Sequence, residues 1–162
     1  MIKKILLSAS DGGLIPYVRP NMTSDNSGGI TLTYSSYYEG YPGYQTMDGD
    51  SNSSWITAWN YTTGWLNAAF DKYLYLDSDS NLVLTVDVPN NGRPAQTAIY
   101  TDSSRTKQIG ITQVFPNYQG ATLSFTPSQP IITNNLFFDI QSSYAYYGGF
   151  SNIQFNNVKQ II

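Results

Sequence analysis

Asp48 and Asp50 are the side chains whose type and spacing most directly suggest chemistry, because they stand on either side of Gly49. Carboxylate oxygens are ligands that calcium prefers, and Ser53 together with loop carbonyls could complete its coordination shell. Glycine also permits the left-handed backbone of a tight loop, in which the same carboxylates would accept hydrogen bonds from loop amides. A cation site and a capped turn are therefore both open interpretations.

Catalysis by these carboxylates is a third interpretation. A glycosidase needs two carboxyl groups roughly 5 to 10 Å apart across a substrate groove, and Asp48 and Asp50 could meet that distance. The sequence contains no cysteine and no histidine. Their absence removes cysteine nucleophiles, zinc-thiolate sites and the commonest general base. We therefore expect no enzymatic activity.

Aromatic residues form the second candidate site. Trp59-Asn60-Tyr61 falls in a loop between two apparent strands, where a core tryptophan would be badly placed, and a second aromatic group in the segment 144–147 precedes the last long apparent strand. Exposed Trp and Tyr rings stack on the C–H-rich faces of pyranose sugars, while polar side chains bind the hydroxyls. Loop packing or a protein interface would explain the same rings. The predicted ligand-binding residues are Trp59, Asn60, Tyr61, Tyr144, Tyr146, Tyr147 and Arg93, with Tyr37, Tyr38, Tyr41 and Tyr118 as weaker additions.

The composition favours a neutral polar ligand. Only 12% of the 162 residues are charged, whereas 15% are aromatic and 14 are tyrosines. The formal net charge of −3 and the scattered Lys and Arg residues argue against binding to a phosphate backbone, which needs a clustered basic patch. The length suits a single domain with a substantial core.

Short strands separated by polar turns make up most of the chain, and no segment shows sustained helical periodicity. Ile30–Tyr34 alternates as a half-exposed strand should, and the segments 73–76 and 82–88 read as a hairpin around a polar turn. Trp55 and Trp65 each begin an apolar strand pattern, so we assign both to the core. About eight or nine such strands predict an all-β, jelly-roll-like antiparallel β-sandwich.

The N-terminal segment has a different pattern. Residues 1–7 begin like a secretory signal, but the apolar run stops at Ser8, so we predict a strand of the mature protein and no signal peptide. No segment approaches the ~20 apolar residues of a membrane span. The polar, Gly- and Pro-containing stretch that follows predicts an extended arm, either packed on the sandwich or tethering it to a larger assembly. A cysteine-free, tyrosine-rich surface without a signal predicts a virion component assembled in the host cytoplasm.

The N-terminal half of the chain contains, in this order, Ser35-Ser36, Glu39, Tyr44, Met47-Asp48-Gly49-Asp50, Ser53, Trp55, Trp65-Leu66 and Phe70-Asp71-Lys72. This order resembles the discoidin, or coagulation-factor type C, domains. In the C-terminal half, the segments 99–107 and 149–155 are similar to a strand–turn–strand unit and a closing strand. The resemblance covers roughly residues 30 to 158. It implies a galactose-binding-like β-sandwich over residues 29–162, preceded by the strand and arm of residues 1–28.

The resemblance also implies a structural Ca²⁺ in the loop that contains the two aspartates. Met47 would supply a carbonyl, Asp48 and Asp50 would supply carboxylates, and Ser53 stands where the family often has threonine. Asn152 occupies a position at which the family's closing strand often adds a glutamate. This departure lowers the charge of the ligand set.

Together these expectations describe a non-catalytic carbohydrate-binding module. We predict a phage tail or baseplate protein of the virion that recognises a host cell-surface glycan through aromatic loops at one rim of the sandwich. Its predicted partners are the glycan and, through the N-terminal arm, other virion proteins, but not nucleic acid. The alternative is a structural or assembly protein of a virion that uses the same fold and the same loops for subunit contacts.

Overall fold

A computed structural model describes residues 13–87 and 92–162 of the chain. These residues form one short 3-10 helix, η1 (Gly43–Thr46), and thirteen strands. In this part of the chain, no helix has the length and apolar character needed to cross a membrane. The strands are β1 (Leu14–Pro16), β2 (Asn26–Ser27), β3 (Ile30–Tyr34), β4 (Trp55–Ile56), β5 (Gly64–Leu76), β6 (Asn81–Val86), β7 (Gln96–Tyr100), β8 (Gln113–Val114), β9 (Ala121–Phe125), β10 (Ile131–Ile140), β11 (Gly149–Phe150), β12 (Asn152–Asn156) and β13 (Lys159–Ile161).

The strands form three antiparallel sheets. The largest has eight strands in the order β1-β13-β5-β10-β7-β8, with β3 paired to β5 and β2 paired to β3. A second sheet has the order β12-β6-β9, and a third joins β4 to β11. One continuous hydrophobic cluster contains residues from all three sheets. The predicted all-β antiparallel sandwich is therefore confirmed.

The alternation of buried and more exposed side chains along the strands creates this core. In β5 the side chains of Leu66, Ala68 and Phe70 are buried, and in β6 every second residue from Leu82 onward is buried. Successive side chains of a strand point to opposite faces, so each strand contributes one apolar face to the interior. Trp55 is fully buried, as predicted.

Trp65 differs from its prediction as a core residue. It precedes the buried Leu66 in β5 and therefore projects from the opposite face of the strand, where it is only partly buried. The guanidinium carbon of Arg105 lies 5.8 Å from the centre of its ring. The large side chain follows the two-residue period of its strand, which overrides its hydrophobicity.

The predicted hairpin of segments 73–76 and 82–88 is wrong, although its turn forms. Ser80 N–H donates to the Asp77 carbonyl at 3.0 Å, and Asp77 Oδ1 accepts from Asp79 N–H at 3.0 Å. β5 continues without a break to Leu76 and belongs to the large sheet, whereas β6 belongs to the three-stranded sheet. The turn therefore carries the chain from one layer of the sandwich to the other.

The described part of the N-terminal arm packs against the sandwich. β1 pairs with β13, and Tyr17 N–H donates to the Val158 carbonyl at 2.9 Å. Tyr17 and Met22 are both buried within the hydrophobic cluster. Residues 13–28 are thus integrated with the domain, while the strand predicted for residues 1–7 lies outside the described residues.

Tyr17, which is buried, and Tyr34, which is partly buried, make the free energy of unfolding sensitive to high pH. Burial raises the pKa of Tyr17 to about 12, and burial together with a 2.6 Å hydrogen bond to Asp25 raises the pKa of Tyr34 to about 12. A tyrosine in the unfolded chain has a pKa of about 10. Because the folded state holds these protons more tightly, their contribution is complete below about pH 10 and is lost as pH rises towards 12. Urea unfolding across this interval should show falling stability.

The variant that carries both Tyr17→Phe and Tyr34→Phe is the control for this prediction. It lacks both ionisable hydroxyls, so its stability should depend less steeply on pH between about 10 and 12. The comparison uses the slope of the free energy of unfolding against pH, so the constant effect of the lost hydrogen bond to Asp25 does not enter. Equal slopes for the wild type and the double variant would contradict the assignment.

Candidate functional site

The short β4–β11 ladder brings together the two loops that carry the predicted aromatic residues. Beyond this ladder, Thr57 N–H donates to the Gly148 carbonyl at 2.9 Å, and Gly148 N–H donates to Thr57 Oγ1 at 3.1 Å. Ser143 Oγ also donates to the Thr62 carbonyl at 2.9 Å. These hydrogen bonds hold residues 57–63 against residues 142–148, so the predicted meeting of the two loops occurs.

Five aromatic rings from three loops form a continuous group, which we name the aromatic cluster. The rings of Trp59 and Tyr146 are stacked, with centres 5.1 Å apart and planes inclined by 21°. The ring centres of Trp59 and Tyr147 are 5.6 Å apart, and Tyr38 links Tyr147 to Tyr41 at 6.0 and 6.1 Å. These separations are typical of favourable aromatic pairs. Each ring therefore restrains its neighbour.

The cluster has an open side and a buried side. Trp59 and Tyr146 remain 58% and 61% exposed despite their mutual stacking, whereas Tyr147 is only 6% exposed. Burial raises the pKa of Tyr147, and Tyr38 and Tyr41 contribute smaller effects in the same direction. Tyr147, predicted as a ligand contact, is thus buried and packs against Trp59 from the protein side. Large exposed rings adjoining one another are characteristic of binding surfaces.

Asn60 and Tyr61 complete the loop beside Trp59. Asn60 has a φ of 67°, a left-handed conformation that asparagine tolerates better than most residues. Tyr61 N–H donates to the Ala58 carbonyl at 3.1 Å, while Thr57 Oγ1 donates to the Tyr61 carbonyl at 2.7 Å. The backbone is therefore fixed, and the Asn60 and Tyr61 side chains project as exposed polar groups next to the stacked rings.

Tyr144 and Arg93 lie together but are not part of the aromatic cluster. Tyr144 N–H donates to the Arg93 carbonyl at 2.9 Å, and the Tyr144 hydroxyl donates to the Phe115 carbonyl at 2.6 Å. Among the described residues, Tyr144 forms no ring pair and Arg93 no cation–π pair with a ring of the cluster. The structure instead assigns a larger role to Tyr38 and Tyr41, which were weaker additions from the sequence.

A cavity of about 390 Å³ opens next to the Trp59 loop, because Tyr61 forms part of its wall. Trp65, Asp139 and Gln141 also line it. Both oxygens of Asp139 accept hydrogen bonds from the Arg105 guanidinium, at 2.9 and 3.0 Å. An indole, a carboxylate and an amide around one opening are suited to a polar ligand with some apolar surface.

The loop of residues 47–53, here named the acidic loop, has its carboxylates engaged by its own chain. Asp48 Oδ1 accepts from Asp50 N–H at 2.9 Å, and Asp48 Oδ2 lies 2.6 Å from the Ser53 hydroxyl. Asp50 Oδ1 accepts both from the backbone N–H and from the side chain of Asn52, at 2.9 and 3.0 Å. These hydrogen bonds match the capped-turn interpretation.

The remaining members of the predicted calcium set are placed differently. The Met47 carbonyl accepts hydrogen bonds from Met22 N–H and from the Arg19 guanidinium. Asn152 lies in β12 opposite Thr85. Across residues 13–87 and 92–162, no three Asp, Glu, His or Cys side chains gather in a way that could hold a metal ion. The oxygens in this arrangement do not fit a calcium shell. The contact of Arg19 with the Met47 carbonyl was not predicted from the sequence.

Comparisons with known proteins add information on the fold. No family model and no curated protein sequence matches the chain. The family 32 carbohydrate-binding module of Clostridium perfringens NanJ, solved in complex with galactose, matches with a TM-score of 0.63 at 15% identity, covering 82% of this chain and 93% of that one. CBM32-3 from a family 31 glycoside hydrolase of Clostridium perfringens matches with a TM-score of 0.62 at 16% identity, covering 80% and 91%.

A third structure shows the same relationship. The Clostridium perfringens module CpGH89CBM32-5, in complex with GalNAc-β-1,3-galactose, matches with a TM-score of 0.62 at 13% identity, covering 80% of this chain and 96% of that one. The likeness extends over nearly the full length of each module, although few residues are shared. The chain therefore has the galactose-binding-like, discoidin-type β-sandwich fold of the family 32 carbohydrate-binding modules.

Proposed function

We propose that this chain is a non-catalytic glycan-binding module whose ligand rests on the open side of the aromatic cluster. The observation that carries the proposal is the stacked pair of Trp59 and Tyr146, both more than half exposed, with Trp59 also packed against the buried Tyr147. A sugar ring that covers these faces removes apolar surface from water and can still form hydrogen bonds through its hydroxyls. Because the rings are held by one another, little side-chain freedom is lost on binding.

We propose galactose or N-acetylgalactosamine residues as the ligand class. Two neighbours of the same fold were solved with galactose and with GalNAc-β-1,3-galactose. In galactose the axial hydroxyl at carbon 4 leaves the opposite face of the ring rich in C–H groups, which suits stacking on an aromatic ring. We propose that the exposed Asn60 and Tyr61, which follow Trp59 in its loop, and the Tyr146 hydroxyl bind the hydroxyls of such a sugar. The cavity beside Tyr61 offers room for a second residue of a longer glycan.

A role in a phage tail or baseplate stays a prediction that rests on the sequence alone. The competing function, a virion assembly protein, requires that a partner subunit covers the same rings. In that case Trp59 and Tyr146 would be buried in an oligomer and would not bind sugar. Aromatic residues dominate the energetic centres of protein interfaces, so exposure alone does not separate the two functions.

Isothermal titration calorimetry of the wild-type protein separates them. Galactose and N-acetylgalactosamine should give saturable heat, and glucose, which differs from galactose in the orientation of one hydroxyl, should bind more weakly. A glycan array then extends the test to longer cell-surface structures. If no sugar binds and light scattering shows an oligomer, the assembly function replaces the glycan-binding function.

A further inference from the structure

Arg19 is held over the acidic loop by the packing of the N-terminal arm. Tyr17 and Met22, two and three residues away, are both buried in the hydrophobic cluster. Met22 N–H donates to the Met47 carbonyl at 2.9 Å. These anchors leave Arg19 little freedom, and its Nη1 group donates to the carbonyls of Met47 and Pro20, the latter at 2.8 Å.

The guanidinium brings a positive charge to the place where the acidic loop begins. Burial lowers the pKa of Arg19, while the nearby Tyr17 and Asp48 act in the opposite direction. An arginine side chain nevertheless remains protonated in proteins under ordinary conditions. The chain thus places a positive charge of its own near Asp48.

The same contacts occupy the oxygen that a metal ion would need. A backbone carbonyl has two lone pairs, and at Met47 they face the Met22 N–H and the Arg19 guanidinium. Calcium requires six to eight oxygens at about 2.3 to 2.6 Å and cannot share this position with a guanidinium. Asn21 also packs on the loop, since a Cβ atom at Gly49 would lie 2.5 Å from its Nδ2 atom.

We propose that Arg19 is the resident cation of the acidic loop, and that this module folds and remains stable without calcium. The arm thereby performs the structural role that a metal ion performs in the loop implied by the discoidin resemblance. This inference is independent of the proposed glycan ligand, because it concerns the closure of a loop at Met47 and not the aromatic cluster.

Thermal unfolding of the wild-type protein tests the proposal directly. Melting curves recorded with excess calcium and with a chelator should coincide to within about 1 °C. If calcium bound the folded state, a free concentration of 100 times its dissociation constant would instead raise the melting temperature of a chain of this size by roughly 5 to 10 °C. Such an increase, abolished by Asp48→Asn, would overturn the proposal.

Substitution of Arg19 gives a second readout. Arg19→Ala removes a charged hydrogen bond from the Met47 carbonyl and a counter-charge from Asp48, so its melting temperature should fall by roughly 5 °C. Arg19→Lys keeps the charge without the planar donor geometry and should recover part of the loss. Lys72→Ala is the matched control, because Lys72 is an exposed cation 3.8 Å from Asp71 and should contribute little.

The stability of the substituted proteins can either support or contradict the role of Arg19 in the acidic loop. An Arg19→Ala protein as stable as the Lys72→Ala control would show that the guanidinium does not close the loop. If Arg19→Ala fails to fold, the partial recovery in Arg19→Lys and the calcium independence of the wild type still support the proposal. A calcium requirement in the wild type would contradict it whatever the variants show.

Discussion

Replacement of Trp59 by alanine is expected to weaken binding of a galactose-type sugar at least about 30-fold, equivalent to about 2 kcal/mol, while the fold is retained. Trp59 provides one of the two exposed stacked faces and contacts both Tyr146 and Tyr147. Its loss removes the flat apolar surface and also frees the Tyr146 ring to move. Since Trp59 is 58% exposed, the free energy of unfolding should fall by only about 1 kcal/mol. Calorimetric titration and thermal unfolding of the same preparation measure both effects.

Two further variants sharpen this prediction. Trp59→Phe retains a smaller aromatic face and should keep part of the affinity. Tyr118→Ala removes a ring that is also 58% exposed but contacts no member of the aromatic cluster, so binding should be unchanged. If Trp59→Ala binds as tightly as Tyr118→Ala, the ligand does not rest on the cluster, and the cavity beside Trp65 becomes the candidate.

Replacement of Gly149 by alanine is expected to destabilise the fold by about 3 kcal/mol or more. A Cβ atom at this position would lie 2.0 Å from the Trp55 carbonyl oxygen and 3.0 Å from Ile56 Cα. Both are backbone atoms of the paired strand β4, so the strain cannot be relieved by a rotamer change. The two strands would have to separate, which would open the packing between the fully buried Trp55 and Phe150 rings, 5.9 Å apart.

Gly40→Ala is the comparison for the backbone effect of alanine. Gly40 has a φ of 89°, and a Cβ atom there would meet nothing within 4 Å. Gly40→Ala should therefore lower the free energy of unfolding only by the strain of a left-handed alanine backbone, about 1 to 2 kcal/mol. Urea unfolding of both variants measures the difference. Gly149→Ala should also weaken sugar binding, because the β4–β11 ladder brings the Trp59 and Tyr146 loops together. Equal stability of Gly149→Ala and Gly40→Ala would refute the close approach of Gly149 to β4.

The fold class could be predicted because its signal is local. Ile30–Tyr34 was predicted as a strand and is observed with the same bounds, since the alternation of buried and exposed side chains is visible in five residues. The layer that each strand joins is not a local property. Asp77 and Ser80 form a turn whose chemistry is the same whether the following strand folds back or crosses to the other sheet.

The candidate site was predictable only in part, for the same reason. Trp59 and Tyr146 could be identified as candidate binding residues because they lie in predicted loops, where a large aromatic side chain is not expected to belong to the core. The burial of Tyr147 depends on contacts with Tyr38, more than one hundred residues away. Trp65 could have been placed correctly, because the two-residue period that buries Leu66 requires its neighbour to face outward.

Arg19 shows what the sequence leaves undetermined. Its neighbours Tyr17 and Met22 are apolar, but their isolation in an arm with Gly and Pro gives no periodic pattern. The interaction with the Met47 carbonyl spans 28 residues and exists only once the arm has packed. The discoidin resemblance begins at about residue 30, so it carried no information about this side chain.

The pairing of β1 with β13 has a mechanical consequence. Leu14 lies opposite Ile161, and Ile162 N–H donates to the Gly13 carbonyl at 3.0 Å, so both strands would be pulled from the same end. Tension applied there would load the hydrogen bonds one after another and unzip the ladder, which resists force less than shearing does. The arm would peel away first and take Arg19 from the acidic loop. The long β5–β10 ladder and the aromatic cluster would stay assembled, so the domain would open at this edge before the proposed binding surface was disturbed.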